Sequence, residues 1–102
     1  MAKRFTKKQN FNKTNLEKVP EQSGVYKLSN KKGEIQYIGL AGAGRLQERL
    51  KEHLNEGDIK GSAQFQILKT NSGREAASLE KKLIKLVNPK QNEQHNDRLS
   101  EK

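Results

Sequence analysis

The sequence has no cysteine and no tryptophan, only two prolines, and aromatic residues at just 5% of its 102 positions. Without cysteine there is no disulfide scaffold, no zinc knuckle and no thiol nucleophile. An intracellular chain is the default expectation. No apolar run approaches the roughly 18 residues of a membrane span. The basic start, Met1-Ala2-Lys3-Arg4-Phe5-Thr6-Lys7-Lys8, continues into Gln9-Asn10-Phe11-Asn12 and not into the apolar core of a signal peptide, so a cytoplasmic location is expected. Large apolar side chains are scarce as well. Leu, Ile, Val and Phe together number 22, close to the level of roughly 20% below which highly charged chains stay disordered. Their distribution argues for folding, because all but Phe5, Phe11 and Leu99 lie within 16–92. A single thin-cored domain is expected over 16–92, between a flexible basic arm over 1–15 and a polar tail over 93–102.

Positive charge is what the chain has in excess. Lys and Arg number 21 against 12 Asp and Glu, a formal net charge of +9. On so small a body this favours a polyanionic partner, nucleic acid before membrane. Solubility alone is the bland counterpart. Lys3, Arg4, Lys7, Lys8 and Lys13 concentrate in the arm, where they would make non-specific phosphate contacts.

Between arm and tail the pattern predicts strand, strand, helix, strand, helix, an α+β order. Residues 24–29 and 34–40 carry aromatic and β-branched residues around the turn-like Asn30-Lys31-Lys32-Gly33, which predicts a hairpin. Leu46, Leu50 and Leu54 recur every four residues within 45–55, the stripe of an amphipathic helix that Gly57 stops. A third strand is expected over 65–70. Ser72 and Glu75 then form a capping box that opens a helix running to about Asn88, before Pro89.

Three features exceed what packing needs. An even-numbered hairpin loop would set Tyr26 opposite Tyr37, the two tyrosines of the chain, on one sheet face. A stabilising aromatic pair explains that equally well. Arg49 and His53, four residues apart, share a helix face and could grip a phosphate together, or simply stand in solvent. Glu80 falls within the apolar stripe of the last helix, four residues from both Ala76 and Ile84. A carboxylate there must be paired or bound to a metal. A structural salt bridge and a ligand for Mg²⁺ or Mn²⁺ are both consistent with that position.

Taken together these residues resemble the GIY-YIG nuclease family. Gly24-Val25-Tyr26 is similar to the first signature element, with Val in place of the usual Ile, and Tyr37-Ile38-Gly39 matches the second. Arg49 with His53 is similar to the family's helix motif. Glu80, Pro89 and Asn92 are similar to its closing motif, and Pro20 shortly before Gly24 is similar to many members. The resemblance covers roughly 16–92. The stretch between Tyr37 and Arg49 is longer than usual in the family, which makes Arg45 a rival to Arg49 as the active-site arginine. Arg49 is preferred because His53 follows it at the family spacing.

The resemblance implies a small three-stranded antiparallel sheet flanked by helices, and a divalent-metal-dependent endonuclease that hydrolyses phosphodiester bonds in DNA by attack of water with one Mg²⁺ or Mn²⁺ ion. It implies that Glu80 holds the metal and that Tyr26 orients or deprotonates the water. Tyr37 would position water or phosphate, and the two tyrosines could exchange roles. Arg49 would balance charge on the phosphate, and His53 would hold a phosphate oxygen or take a proton from a tyrosine. Asn92 would fix the end of the last helix near Glu80 or touch the substrate. Arg45 joins the arm cations as a candidate phosphate contact. The competing functions are a non-catalytic nucleic-acid-binding module of the same fold and a basic RNA-binding protein. Base-specific reading would have to come from a dimer or a partner protein, since no zinc finger or helix-turn-helix is evident.

Overall fold

The computed structural model describes residues 4–89 and 91–92. Its elements are β1 (Gln9–Asn10), α1 (Lys13–Leu16), β2 (Gly24–Ser29), β3 (Ile35–Ala41), α2 (Leu46–Glu56), β4 (Gln64–Lys69) and α3 (Gly73–Val87). The strands form one antiparallel sheet in the order β1-β4-β2-β3. No helix among the described residues is long and apolar enough to cross a membrane.

The sheet has four strands where three were expected, because the N-terminal segment is not free. The Thr6 N–H donates to the Ile67 carbonyl at 2.9 Å and the Phe11 N–H to the Ala63 carbonyl at 2.9 Å, and Gln9 pairs with Phe65. Two aromatic rings anchor the segment. Phe11 packs on Phe65 with centroids 6.1 Å apart. Phe5 joins the α3-side core, with the Lys27 ammonium 4.1 Å from its centroid. Burying a ring offsets the entropy of ordering a few polar residues. Asn12 then caps α1, its side chain accepting from the Asn15 N–H at 2.9 Å. Residues 93–102, expected as a tail, lie outside the described residues.

The hairpin between β2 and β3 forms as expected, in a different register. Tyr26 is opposite Gly39 and Leu28 opposite Tyr37, with a bulge between Leu28 and Ser29. The cause lies in the turn. The Asn30 N–H donates to the Glu34 carbonyl at 2.9 Å, and the Asn30 side chain accepts from the N–H groups of Lys32 and Glu34. This closes an odd, three-residue loop with Gly33 at φ 88°. The tyrosines are therefore diagonal neighbours on one face, ring centroids 6.2 Å apart.

Helices cover both faces. The leucine stripe of α2 buries Leu46 and Leu50 against Tyr26, Leu28, Ala41, Phe65 and Ile67, with Leu16 and Val19 closing the layer. Gly57 ends α2 at φ 60°, a left-handed cap. On the other face α3 sets Ala76 on Val25 and Ile38, flanked by the partly buried Leu79, Leu83 and Ile84. The Ser72 cap forms as expected, its hydroxyl accepting from the Glu75 N–H at 3.1 Å. Asn88 ends α3 in the left-handed region at φ 54°.

Candidate active site

Tyr26, Tyr37, Arg49 and His53, of the expected site residues, gather where α2 packs on β2 and β3. Tyr26 points from β2 toward α2, and its ring crosses its cross-strand partner Gly39. A Cβ on residue 39 would run into Cζ and Oη of Tyr26, so only glycine lets the phenol pass. The phenol ends on His53, with Tyr26 Oη 2.7 Å from Nε2. His53 is itself buried, and its Nδ1 lies 2.9 Å from Asp58 Oδ1. A carboxylate accepts only, so Nδ1 donates to Asp58 and Nε2 is left to accept the Tyr26 hydroxyl. The left-handed turn at Gly57 swings Asp58 back onto the helix to make this contact.

Tyr37 stands beside the pair, its ring 5.2 Å from that of His53 in an edge-on arrangement. Tyr37 is half-buried, whereas Tyr26 has no exposed surface. Burial pushes the Tyr26 phenol far above the ordinary tyrosine range, Tyr37 adds to that rise, and the neighbouring Arg49 guanidinium opposes it. The Tyr26 oxygen is enclosed. Tyr37 is the phenol with a solvent-facing side. His53 likewise has both ring nitrogens engaged inside the protein.

The two arginines of α2 part company. Arg49, half-buried, lies beside the Tyr26 phenol, and its Nη1 is 2.6 Å from Glu52 Oε1. Burial works against its charge, but Tyr26, Glu52 and Tyr37 outweigh burial and raise its pKa. Arg45 is exposed and tied to Glu48 at 2.9 Å and Glu52 at 3.3 Å, on the outer side of the helix.

Glu80 stands on α3, which covers the other face of the sheet. It is half-buried, and burial pushes its carboxyl above the usual range, with Lys81 only partly offsetting this. Its charge registers at Tyr26. It makes no hydrogen bond or ion pair with any described residue. Among the described residues, then, no structural salt bridge holds it. Among the described residues no three His, Cys, Asp or Glu cluster to cage a metal. One unpaired hard-oxygen donor beside an open edge suits Mg²⁺, which keeps most of its waters and takes substrate phosphate oxygens.

Asn92 is buried 54 positions along the chain from Ile38, to whose backbone it is clamped. Its Oδ1 accepts from the Ile38 N–H at 2.7 Å, and its Nδ2 donates to the Ile38 carbonyl at 2.8 Å. The amide stands in for a missing strand on the open edge of β3, between Tyr37 and Gly39. Both halves of the amide are thus engaged with the backbone.

Of the candidate phosphate contacts, Arg4, Lys7, Lys8 and Lys13 are exposed, and the Lys8 ammonium donates to the Gly33 carbonyl in the β2–β3 turn at 3.4 Å. Lys3 lies outside the described residues. Sequence reasoning missed Asp58 and Glu52. Glu52 sits one turn from Arg49, a spacing that could have found it. Asp58 offered only its place after the helix-stopping glycine.

Comparison with known proteins adds three findings. A family described as "Domain of unknown function (DUF7508)" matches residues 3–85. Among curated proteins, the UvrABC system protein C of Clostridium novyi (strain NT) is 34% identical over 84 residues, and that of Methanosphaera stadtmanae is 31% identical over 86. These matches take in 76% and 74% of this chain but 14% of each relative, so the chain spans about a seventh of their length. Among solved structures, the GIY-YIG N-terminal endonuclease domain of UvrC from Thermotoga maritima, bound to magnesium as its catalytic divalent cation, is 35% identical with a TM-score of 0.65. It aligns over 76% of this chain and 90% of its own. A point mutant of the same domain, bound to its catalytic divalent cation, gives a TM-score of 0.66 over 89% of its length.

Proposed function

The chain belongs to the GIY-YIG endonuclease family, and from that premise we propose that it hydrolyses phosphodiester bonds in DNA with one Mg²⁺ or Mn²⁺ ion held by Glu80. The observation that carries this reading is a convergence. Tyr37 from β3 stands ring to ring 6.2 Å from Tyr26, His53 from α2 bonds the Tyr26 phenol, and the charges of Arg49 from α2 and Glu80 from α3 are felt at that phenol. Packing alone gives no reason to bring together a cation, a carboxylate with no partner among the described residues and two phenols.

Bound at Glu80, the cation supplies charge for the phosphoryl oxygen and the leaving oxygen. The side chains do the rest. Arg49, braced by Glu52, presents preorganised donors to the charge that grows on the phosphate. Tyr37 orients the attacking water from its accessible side. Tyr26 keeps its proton, donates it in a hydrogen bond to His53, and forms the wall that fixes Arg49. Asp58 holds His53 in the tautomer that can accept from Tyr26. Asn92 keeps the Tyr37-Ile38-Gly39 edge straight.

The test is nicking of supercoiled plasmid, with labelled single-stranded and branched DNA in parallel, in Mg²⁺, Mn²⁺ or EDTA. Metal-dependent nicking that EDTA stops is the expected result. Salt-sensitive DNA binding without product on any substrate would instead indicate a non-catalytic module of the same fold.

A further inference from the structure

We propose that Gln91 is a positioning residue for the site: its side chain fixes the loop over 57–63, and through that loop the contact of Asp58 with His53. The inference rests on the DNA-cleaving function proposed above and deepens it, by naming what sets the Asp58–His53–Tyr26 chain in place.

Three observations carry it. The first is what Gln91 holds. Its Oε1 accepts from the Lys60 N–H at 3.0 Å, and its Nε2 donates to the Lys60 carbonyl at 2.7 Å. Nε2 also donates to Gln36 Oε1 at 3.2 Å. A side-chain amide carries the donor and acceptor of a peptide group, so it can engage both backbone groups of one residue. Asn92 does the same to Ile38. Two consecutive amides thus tie down two distant backbones, Gln91 the loop after α2 and Asn92 the strand β3.

The second is how Gln91 is anchored. Its own N–H donates to the Gln36 carbonyl at 2.8 Å, one residue before Tyr37 on β3. Pro89, between α3 and Gln91, is buried. The Gln91 side chain therefore refers the loop to the strand that carries Tyr37.

The third is the freedom of the loop. Gly57 at φ 60° and Gly61 at φ 77° bracket Asp58, Ile59 and Lys60, and glycine on both sides leaves a short stretch with wide backbone choice. Ile59 is buried in the α2-side core. Apolar burial has no direction, so it sets the depth of the loop and not its rotation. The clamp on Lys60 supplies the direction. Asp58, two residues before Lys60, must meet His53 Nδ1 at 2.9 Å for Nε2 to accept from Tyr26. When Asp58 leaves, the imidazole proton is free to move to Nε2, which turns the Tyr26 hydroxyl from donor into acceptor.

The test compares Gln91→Met with Gln47→Met in the full chain. Methionine keeps the length of glutamine and removes its hydrogen bonds. Gln47 is the control because its Nε2 also donates to backbone, the carbonyls of Glu17 and Val19 at 3.1 Å each, and these tie α2 to the segment after α1. Both variants should melt within about 8 °C of the native chain. All chains carry His95→Gln, since the sequence has two histidines, so that the imidazole seen by nitrogen-correlated NMR is His53. In Gln91→Met the Nδ1 proton should exchange with water at least about tenfold faster, and kcat for nicking should fall about fivefold to tenfold with KM held. Gln91→Glu, which keeps the acceptor and loses the donor, should lie between the native chain and Gln91→Met. Added to Asp58→Asn, Gln91→Met should lower kcat by no more than about a further twofold. Gln47→Met should leave the imidazole proton and kcat as they are in the native chain. Native values in Gln91→Met, the same changes in Gln47→Met, or losses that multiply in the Asp58→Asn chain would each overturn the proposal. In a chain that cuts no substrate, faster imidazole exchange in Gln91→Met would support this positioning while refuting the nuclease reading, and native exchange would refute both.

Discussion

On the α2 side of the sheet, the polar groups that reach the site are chained to one another. Asp58 holds His53, His53 holds Tyr26, and Arg49 is braced by Glu52 beside the same phenol. A large core of leucines and aromatic rings surrounds them. On the α3 side the core proper is Val25, Ile38 and Ala76, Glu80 has no ion-pair partner among the described residues, and the cations beside it are exposed. The α2 side is satisfied by its own hydrogen bonds and ion pairs. Glu80 is not, among the described residues, and under the proposed function that spare capacity is what would take the cation.

Removing groups from each side tests that difference. Arg49→Ala should lower kcat by about a hundredfold to a thousandfold, the scale of losing one preorganised donor, while Arg45→Ala stays within about twofold, as expected of a side chain in exposed ion pairs. Steady-state nicking rates decide it, and a dead Arg45 variant would mean that the outer side of α2 faces the substrate. In urea denaturation, Leu50→Ala should cost about 2–5 kcal/mol. Leu83→Ala, half-buried under α3, should cost about 1 kcal/mol. Equal losses would erase the contrast between the two cores. Asp58→Asn should reduce kcat about tenfold with KM held, the scale of an outer partner that orients a working group.

The smallest effect is on alkaline stability. Burial raises the Tyr26 pKa in the folded state above its ordinary 10.0, so the folded chain holds that proton more tightly than the unfolded one. Its contribution is fully present below about pH 10 and is lost as the pH rises further. Thermal melts from pH 8 to 11 should show the native chain losing stability above pH 10 more steeply than Tyr26→Phe. Parallel curves would place Tyr26 in a wetter setting than the fold gives it.

The hairpin, α2 and α3 were legible because each carries its own periodicity and stop signals, the Gly57 cap and the Ser72–Glu75 box among them. The N-terminal strand was not. Gln9 and Asn10 have no strand propensity, and what holds them is two isolated phenylalanines meeting distant partners. The hairpin register escaped because it depends on how the Asn30 side chain closes its own loop. Within the site, the sequence named Tyr26, Tyr37, Arg49, His53 and Glu80 through the family motifs. The burial that separates the two tyrosines was not visible in it. Nor was the backbone partner of Asn92, because no pattern of residue types marks a side chain that pairs with a strand edge. Asp58 was missed because a left-handed turn, and no pattern of residue types, brings it to His53.

The most direct test of the account is Glu80→Gln, assayed for nicking in Mg²⁺, for DNA binding in EDTA and for thermal stability. The account predicts nicking reduced at least about a thousandfold and binding unchanged. It also predicts a melting temperature no lower than that of the native chain, because burial already opposes the Glu80 charge. Nicking at the native rate would contradict the claim that this carboxylate holds the catalytic cation.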